Sequence, residues 1–197
     1  MKRLFDLVFA LAGLALLGLP MLAAALWIRL DSPGPVFFRQ ERVGQGGRRF
    51  RIHKFRTMRT DAESLGPQLT VGEDRRITRA GTFLRAHRLD ELPQFIDVLR
   101  GDMSLVGPRP EVPRYVDRYP PALRARVLAV RPGMTDPASL EFRDEAERLA
   151  RAADPEREYL DVILPAKLAR SADYADHASL WTDLAVLGRS VGVLLFR

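Results

Sequence analysis

The 197-residue sequence contains no cysteine and only three histidines. The absence of cysteine excludes disulfides, thiolate nucleophiles and thiolate ligands to a metal. Three histidines (His53, His87 and His177) argue against a histidine-based metal cluster. The chain also lacks internal repeats, low-complexity tracts and a linker to a second globular domain. We therefore expect one domain whose chemistry does not depend on thiols.

The sequence does contain one long uncharged run. Residues 7–28 read LVFALAGLALLGLPMLAAALWI, and a helix of this length could just cross a hydrocarbon core of roughly 30 Å. Pro20 removes a backbone donor and should kink that helix. Basic residues stand on both sides, at Lys2, Arg3 and Arg29, and positive flanks are held on the cytoplasmic side. A re-entrant segment over residues 1–30, broken at Pro20, satisfies both observations.

Three other interpretations of this run remain open. A spanning anchor fits its length, and a buried helix of a soluble domain fits its composition. A cleaved signal peptide fits the Lys2-Arg3 start, but its apolar region is ordinarily about 7–15 residues, which is shorter than this one. The re-entrant path is favoured because it alone explains why both flanks are basic.

The positive charge is concentrated beside this run. The net charge is +6, and residues 1–60 hold eleven of the 31 Lys and Arg residues but only three of the 25 Asp and Glu residues. Such a cluster attracts anionic lipid headgroups and can gather anionic substrates. A nucleic-acid partner is not expected, because the nearby aromatic residues occur in strand-like runs and not as a stacking platform.

Residues 31–197 predict a small α/β domain, mostly helical with a short β-hairpin. Its turn is Gln45-Gly46-Gly47, between strands at residues 36–43 and 49–57. The other predicted elements are an irregular segment at 60–79, helices at 82–88 and 90–100, an ordered loop at 104–113, a helix at 121–130, helix-favouring residues 141–170 and a helix at 180–196. The apolar spacing of the last helix fits the core or a membrane interface.

Two carboxylates and several cationic side chains are candidate catalytic or substrate-binding residues. Asp90 and Glu91 are adjacent at a predicted helix start, where they could cap the helix, hold a divalent cation or attack phosphorus. Arg109 lies between two prolines, and its planar guanidinium matches phosphate oxygens; the alternative is a solvated turn. Lys54 and Arg56 end the second strand, where they bind substrate or form a polar strand face. Together these residues suggest phosphate chemistry on an amphiphile.

With these residues the chain resembles the bacterial sugar transferase family, the monotopic phosphoglycosyl transferases that act on polyprenyl phosphate. The resemblance covers residues 1–136 almost continuously and in order. The matching stretches are the Lys2-Arg3-x-x-Asp6 start with the proline-broken run, SPGPVFFRQERVG, KFRTM, FLRAHRLDELPQ, GDMSLVGPRPE and RPGMTD.

The resemblance implies a membrane-surface catalytic domain on the cytosolic face of the bacterial inner membrane. It implies transfer of a phosphosugar from a UDP-sugar to polyprenyl (undecaprenyl) phosphate, the first membrane step of glycoconjugate synthesis. Asp90 would attack the sugar-linked phosphate and release UMP, giving an aspartyl-phosphosugar intermediate. Glu91 would be associated with Mg²⁺, and Arg85 and Arg109 would be phosphate or nucleotide ligands.

The sequence departs from the family at two positions. Arg88 stands where a small polar residue is common, and Asp136 stands where many members have glycine. The resemblance favours the minimal single-domain form, and it leaves the sugar, the pathway and a homodimer open. The rival interpretation is a non-catalytic basic module that its anchor holds at the membrane, bound to a partner or to anionic lipid.

Overall fold

The computed structural model describes residues 1–62, 64, 65, 74–142 and 144–195. Residues 66–73 of the predicted irregular segment and the last residue of the predicted C-terminal helix lie outside this description. The strands are β1 (Phe37–Phe38), β2 (Glu41–Val43), β3 (Arg49–Arg51), β4 (Lys54–Phe55), β5 (Ser104–Val106) and β6 (Gly133–Thr135). The α-helices are α1 (Lys2–Asp31), α2 (Arg79–Ala86), α3 (Gln94–Arg100), α4 (Pro113–Val116), α5 (Pro121–Val127), α6 (Pro137–Glu141), α7 (Glu145–Arg151), α8 (Pro155–Glu158), α9 (Leu164–Asp176) and α10 (Leu180–Leu195). Over the described residues the fold is mostly helical with three small sheets, in agreement with the mostly helical arrangement predicted from sequence.

The N-terminal apolar run forms a single helix. α1 continues through Pro20, so the predicted division into two helical halves is not confirmed. By length and composition α1 is the one helix in the described ranges that could cross a membrane. Its first half packs against α3, where Phe95 lies against Gly13, and Ile28 near its other end is buried with Leu84 of α2.

Polar contacts hold both ends of α1 to the same domain. At the start, Arg3 donates to the carbonyl of Val98 at 2.7 Å, and the buried Asp6 accepts from the amide of Leu105 at 3.1 Å. At the other end, Asp31 accepts from the amide of Ala80 at 3.0 Å. The middle is left outside the core. Leucines at positions 16, 19 and 22 each expose two thirds or more of their surface.

The predicted hairpin is present but consists of two short ladders. β2 pairs with β3 and β1 pairs with β4, both antiparallel. A tight turn at Gln45–Gly47 joins β2 to β3, with Gly46 at φ 65° and Gly47 at φ 81°, a region that glycine enters without steric cost. The outer ladder brings Lys54 to the base of the hairpin, beside the segment that carries Asp90.

The prediction of a loop throughout residues 104–113 was wrong at its start. Ser104–Val106 is a buried strand that pairs in parallel with Gly133–Thr135, and the irregular chain begins only at Gly107. A Cβ atom on Gly107 would lie 2.4 Å from the carbonyl oxygen of Arg131, and one on Gly133 would lie 2.0 Å from the amide nitrogen of Gly107. The two glycines therefore allow the strands to meet backbone to backbone directly before Arg109.

The predicted helix at residues 90–100 begins later than expected. Leu89–Glu91 forms a separate 3₁₀ turn, and α3 starts only at Gln94, after Pro93. Arg88 separates this turn from α2, and its φ of 54° makes it the one non-glycine residue with positive φ in the described ranges. The chain reverses there between α2 and the 3₁₀ turn. Asp90 and Glu91 are thereby placed between two helices and opposite β4.

Candidate active site

Asp90, Glu91, Lys54 and Arg109 form one cluster. Lys54 Nζ lies 3.0 Å from Asp90 Oδ2 and 3.1 Å from Glu91 Oε1. Arg109 Nη2 donates to the same Glu91 oxygen at 3.0 Å. All four side chains are at least two-thirds buried. The structure thus brings together residues from the KFRTM, DELPQ and GPRPE stretches.

The two cations keep Glu91 ionised. Burial raises the pKa of a carboxyl group, but Arg109 and Lys54 outweigh that effect and hold the pKa of Glu91 well below its usual range. In the same way Glu91 outweighs the desolvation of Arg109 and raises the pKa of that guanidinium. At neutral pH the cluster therefore contains fixed charges of both signs, close together and partly shielded from water.

Arg85 reaches the edge of this cluster from α2. Its Nε donates to Thr57 Oγ1 at 2.9 Å, and the charge of Asp90 opposes the lowering of its pKa by burial. The contact of α2 with the Thr57 segment is close, because a Cβ atom on Gly81 would lie 2.0 Å from the Thr57 carbonyl oxygen. With Arg85, Lys54 and Arg109 the site has one more cation than carboxylates, which favours an anionic substrate.

Arg56 lies elsewhere. It is buried, and its guanidinium donates to the main-chain carbonyls of Ile28, Ser32 and Pro33 at the end of α1. It therefore joins the hairpin to the end of α1. The structure does not bring Arg56 to Asp90 or Glu91. Substrate binding by Arg56 stays a prediction without a contact to support it.

Asp90 differs from the other buried aspartates in one respect. Asp6, Asp97, Asp136 and Asp183 each accept hydrogen bonds from protein donors on both carboxylate oxygens. Asp90 has a contact only at Oδ2, from Lys54, and among the described residues its Oδ1 has no partner. One oxygen of a buried, charge-stabilised carboxylate is therefore available to a ligand.

The two carboxylates do not act as helix caps. In the described ranges neither Asp90 nor Glu91 accepts a hydrogen bond from a backbone amide, and the cations take that place. Helix capping is the simplest explanation of this pair from the sequence. The positions of Lys54 and Arg109 instead favour a role of the carboxylates in binding or catalysis.

The donor set fits a magnesium ion. Mg²⁺ prefers oxygen ligands and is commonly held by one or two carboxylates, with waters and substrate phosphates completing its shell. Both cations contact Glu91 at Oε1, and its Oε2 has no hydrogen-bond partner among the described residues. No group of three or more metal-binding side chains occurs in the described part of the chain. Glu91 Oε2 and Asp90 could thus hold the ion only together with phosphate oxygens.

Sequence reasoning missed several polar partners of this site. The sequence indicates no partner for His53, but Asp97 binds both its amide and its ring. Asp136, one of the two departures from the family, caps α6 through Ala138 and Ser139. An aspartate directly before a proline, with serine three residues later, is a helix-start pattern. That pattern could have identified this role.

Comparison with known proteins agrees with the geometry. A family model described as bacterial sugar transferase matches residues 1–197. The chain is 40% identical over 197 residues to the UDP-N-acetylgalactosamine-undecaprenyl-phosphate N-acetylgalactosaminephosphotransferase of Aeromonas hydrophila, a match that covers 98% of this chain and 43% of that protein.

Two further relatives extend this comparison. The UDP-glucose:undecaprenyl-phosphate glucose-1-phosphate transferase of Caulobacter vibrioides is 42% identical over 200 residues, covering 98% of this chain and 69% of that protein. The exopolysaccharide production protein PSS of Rhizobium leguminosarum bv. phaseoli is 36% identical over 203 residues, covering 95% and 91%. This chain therefore spans less than half of the Aeromonas relative and nearly all of the Rhizobium relative.

Proposed function

Because this chain belongs to the bacterial sugar transferase family, we propose that it transfers a phosphosugar from a UDP-sugar to undecaprenyl phosphate through a covalent intermediate on Asp90. The observation that carries the proposal is the unpartnered Oδ1 of Asp90 beside Lys54 and Glu91. The Aeromonas and Caulobacter relatives are named for different sugars at nearly equal identity, so the proposal stops at the class of UDP-sugar.

The first step forms a bond between Asp90 Oδ1 and the sugar-linked phosphorus. The bond from that phosphorus to the bridging oxygen breaks, and UMP leaves with the electron pair. In the second step an oxygen of the lipid phosphate attacks the same phosphorus, and the Asp90 carboxylate is released. Neither step requires a proton on Asp90, whose Oδ2 lies 3.0 Å from Lys54 Nζ.

Charge neutralisation explains the remaining residues. An anion that attacks a diphosphate is repelled, so cations must offset the charge that develops on the phosphate oxygens. Arg109 is held rigidly by its proline neighbours and by the Gly107 contact, and Arg85 approaches from α2; both serve this purpose. Glu91 and Asp90 would hold Mg²⁺, which would supply further neutralisation of the same charge.

The same proposal includes a re-entrant path for α1. A spanning helix would carry one of its ends about 30 Å from a domain on the opposite face, whereas Arg3 and Asp31, at opposite ends of α1, both contact this domain. The exposed leucines of the middle are then the part that enters the lipid. This path places the site at the interface, where the phosphate of a polyprenyl lipid lies.

The intermediate provides the direct test. The purified protein is incubated with Mg²⁺ and a panel of UDP-sugars without lipid, quenched rapidly in acid and weighed intact. We expect one added phosphosugar with the correct donor, absent in Asp90→Asn and lost when undecaprenyl phosphate is added before the quench. UMP release that requires both substrates, with no adduct, would support direct transfer instead. No release with any donor would favour the non-catalytic module.

The path of α1 is tested by cysteine labelling, because the chain has no native cysteine. Lys2→Cys and Asp31→Cys are treated with an impermeant thiol reagent in intact cells and in inverted vesicles. We expect both positions to be protected in cells and labelled in inverted vesicles. Labelling of one position from each side would establish a spanning anchor and refute the re-entrant path. Pro20→Ala should shift the population toward spanning, since it restores the backbone donor.

A further inference from the structure

His53 and Asp97 form a buried pair next to the proposed site. Asp97, on α3, is fully buried, and His53 exposes only 7% of its surface. One carboxylate oxygen of Asp97 accepts from the amide of His53 at 2.8 Å, and the other contacts Nδ1 of its ring at 2.6 Å. Phe37 packs edge-on against the same ring, with centroids 6.2 Å apart. The backbone and the side chain of His53 are thus fixed by one residue.

Lys54, the next residue, contacts both proposed catalytic carboxylates. Lysine has a long flexible side chain and loses considerable rotamer freedom when it is held in one place. The hydrogen bond from the His53 amide to Asp97 fixes the backbone directly before Lys54, so less freedom remains to be lost when the Lys54 side chain is held in place. The contacts therefore run in one short series, from Asp97 through His53 to Lys54, and then to Asp90 and Glu91.

We propose that Asp97 and His53 are positioning residues that hold Lys54 between Asp90 and Glu91, so that Asp90 presents its free oxygen to the donor. The inference rests on the proposed function for its catalytic consequence, but the placement of Lys54 can be tested without activity. Asp97 is suited to this role because both of its oxygens are occupied by His53. Burial raises the pKa of Asp97, and the hydrogen bonds with His53 and the charge of Arg39 oppose that shift.

The placement can be measured by lysine acylation. The chain has only three lysines, Lys2, Lys54 and Lys167. The folded protein is exposed briefly to acetic anhydride, and the extent of modification at each lysine is read by peptide mass spectrometry. In Asp97→Ala we expect Lys54 to react several-fold faster than in the wild type, with Lys167 unchanged. Asp97→Asn keeps an acceptor for the amide and a donor for the ring, so it should stay close to wild type.

A matched control comes from another buried ion pair. Lys167 contacts Glu145 at 2.8 Å, between α9 and α7. Glu145→Gln should accelerate the modification of Lys167 and leave Lys54 unchanged, which separates local release from general loosening. If Asp97→Ala accelerates Lys54 and Lys167 alike, or neither, the positioning role is refuted.

The catalytic consequence is measured with a double-mutant cycle on adduct formation at saturating donor. If Asp97 acts through Lys54, Asp97→Ala should slow the wild type by about tenfold, within the range of coupling between contacting residues, and should slow Lys54→Met less than twofold. Equal slowing in both backgrounds would assign Asp97 a purely structural role. A wild type that forms no adduct would instead refute the proposed function, and the acylation result would still decide the placement.

Discussion

The buried carboxylates at Asp90 and at Asp183 resemble each other in burial but differ in how their oxygens are used. Asp183 lies on α10 and accepts from Lys2 on one oxygen and from the hydroxyl of Tyr174 at 2.5 Å on the other. Asp90 has one cation and one free oxygen. The contacts of Asp183 join the start of α1 to α10. The arrangement at Asp90 leaves one of its oxygens without a partner among the described residues.

This difference gives a way to distinguish an aspartate that stabilises the fold from an aspartate that is available to a ligand. A buried polar group without a partner is costly and is ordinarily avoided. The other four buried aspartates follow this rule, whereas Asp90 Oδ1 has no partner among the described residues and is not one of their enclosed polar atoms, so a ligand can reach it. Three of the four predictions below test this comparison and the last tests the backbone beside Asp90, from the largest expected effect to the smallest.

Asp90→Asn should reduce phosphosugar transfer by on the order of 10³-fold or more, because it removes the nucleophile. The substitution conserves volume, so the thermal midpoint and the recovery in the membrane fraction should match the wild type. The rate of UMP release gives the activity, and a thermal melt in detergent gives the stability. Retention of more than a tenth of wild-type turnover would contradict the covalent mechanism.

Glu91→Gln should reduce turnover by about 10²-fold, because it weakens both the metal site and the contact that orders Arg109. It should also change the pH dependence of stability. The pKa of Glu91 is lower in the folded protein than in the unfolded chain, so its stabilisation is present above about pH 4.3 and is lost as the pH falls below that value.

The measurement is urea unfolding of the wild type and Glu91→Gln at pH 6 and at pH 3. The difference in the free energy of unfolding should be larger at pH 6 and should shrink at pH 3. A difference that grows on acidification would show that Glu91 is not ionised in the folded protein.

Asp183→Asn should lower stability without altering the chemistry. Lys2 would lose its ionic partner while Tyr174 kept an acceptor, which should cost about 1–2 kcal/mol since Lys2 is partly exposed. Thermal melts measure this loss, and the rate of adduct formation per folded molecule should be unchanged. An effect on adduct formation as large as that of Asp90→Asn would remove the distinction between the two aspartates.

Arg88→Gly should have the smallest effect on stability. Arg88 is exposed and adopts φ 54°, a conformation that costs an L-residue about 1 kcal/mol and glycine very little. We expect a gain in the free energy of unfolding of less than about 1 kcal/mol, because glycine also gains freedom in the unfolded chain. Arg88→Ala should give no such gain, which makes it the matched control in the same urea titrations.

The motifs allowed much of the site to be predicted from sequence. Lys54, Glu91 and Arg109 come from three separate stretches, and the structure places both Lys54 and Arg109 within hydrogen-bond distance of Glu91. The hairpin was predictable from Gln45-Gly46-Gly47, because its glycines allow the tight turn. Each of these features is marked by a few neighbouring residues, so it can be identified in a single sequence.

Long-range pairing was not predictable in this way. At the sequence level Asp6 could pair with Lys2 or Arg3, one turn away, but it binds the Ser104 hydroxyl and the Leu105 amide instead. The strand at Ser104–Val106 depends on Gly133–Thr135, almost thirty residues later. The residues of this strand do not by themselves distinguish it from a proline-rich loop, because its backbone hydrogen bonds are made with the partner strand.

The two-ended docking of α1 has a practical consequence for anyone who wishes to make a water-soluble form by deletion. Removing residues 1–30 would uncover the apolar surfaces that pack on Ala10 and Ile28, including Val98 and Leu84. It would also leave the fully buried Asp183 without its cation. Through both of its ends, α1 is therefore part of the hydrophobic core of the domain. Solubility has to come from changing its exposed leucines, not from cutting it away.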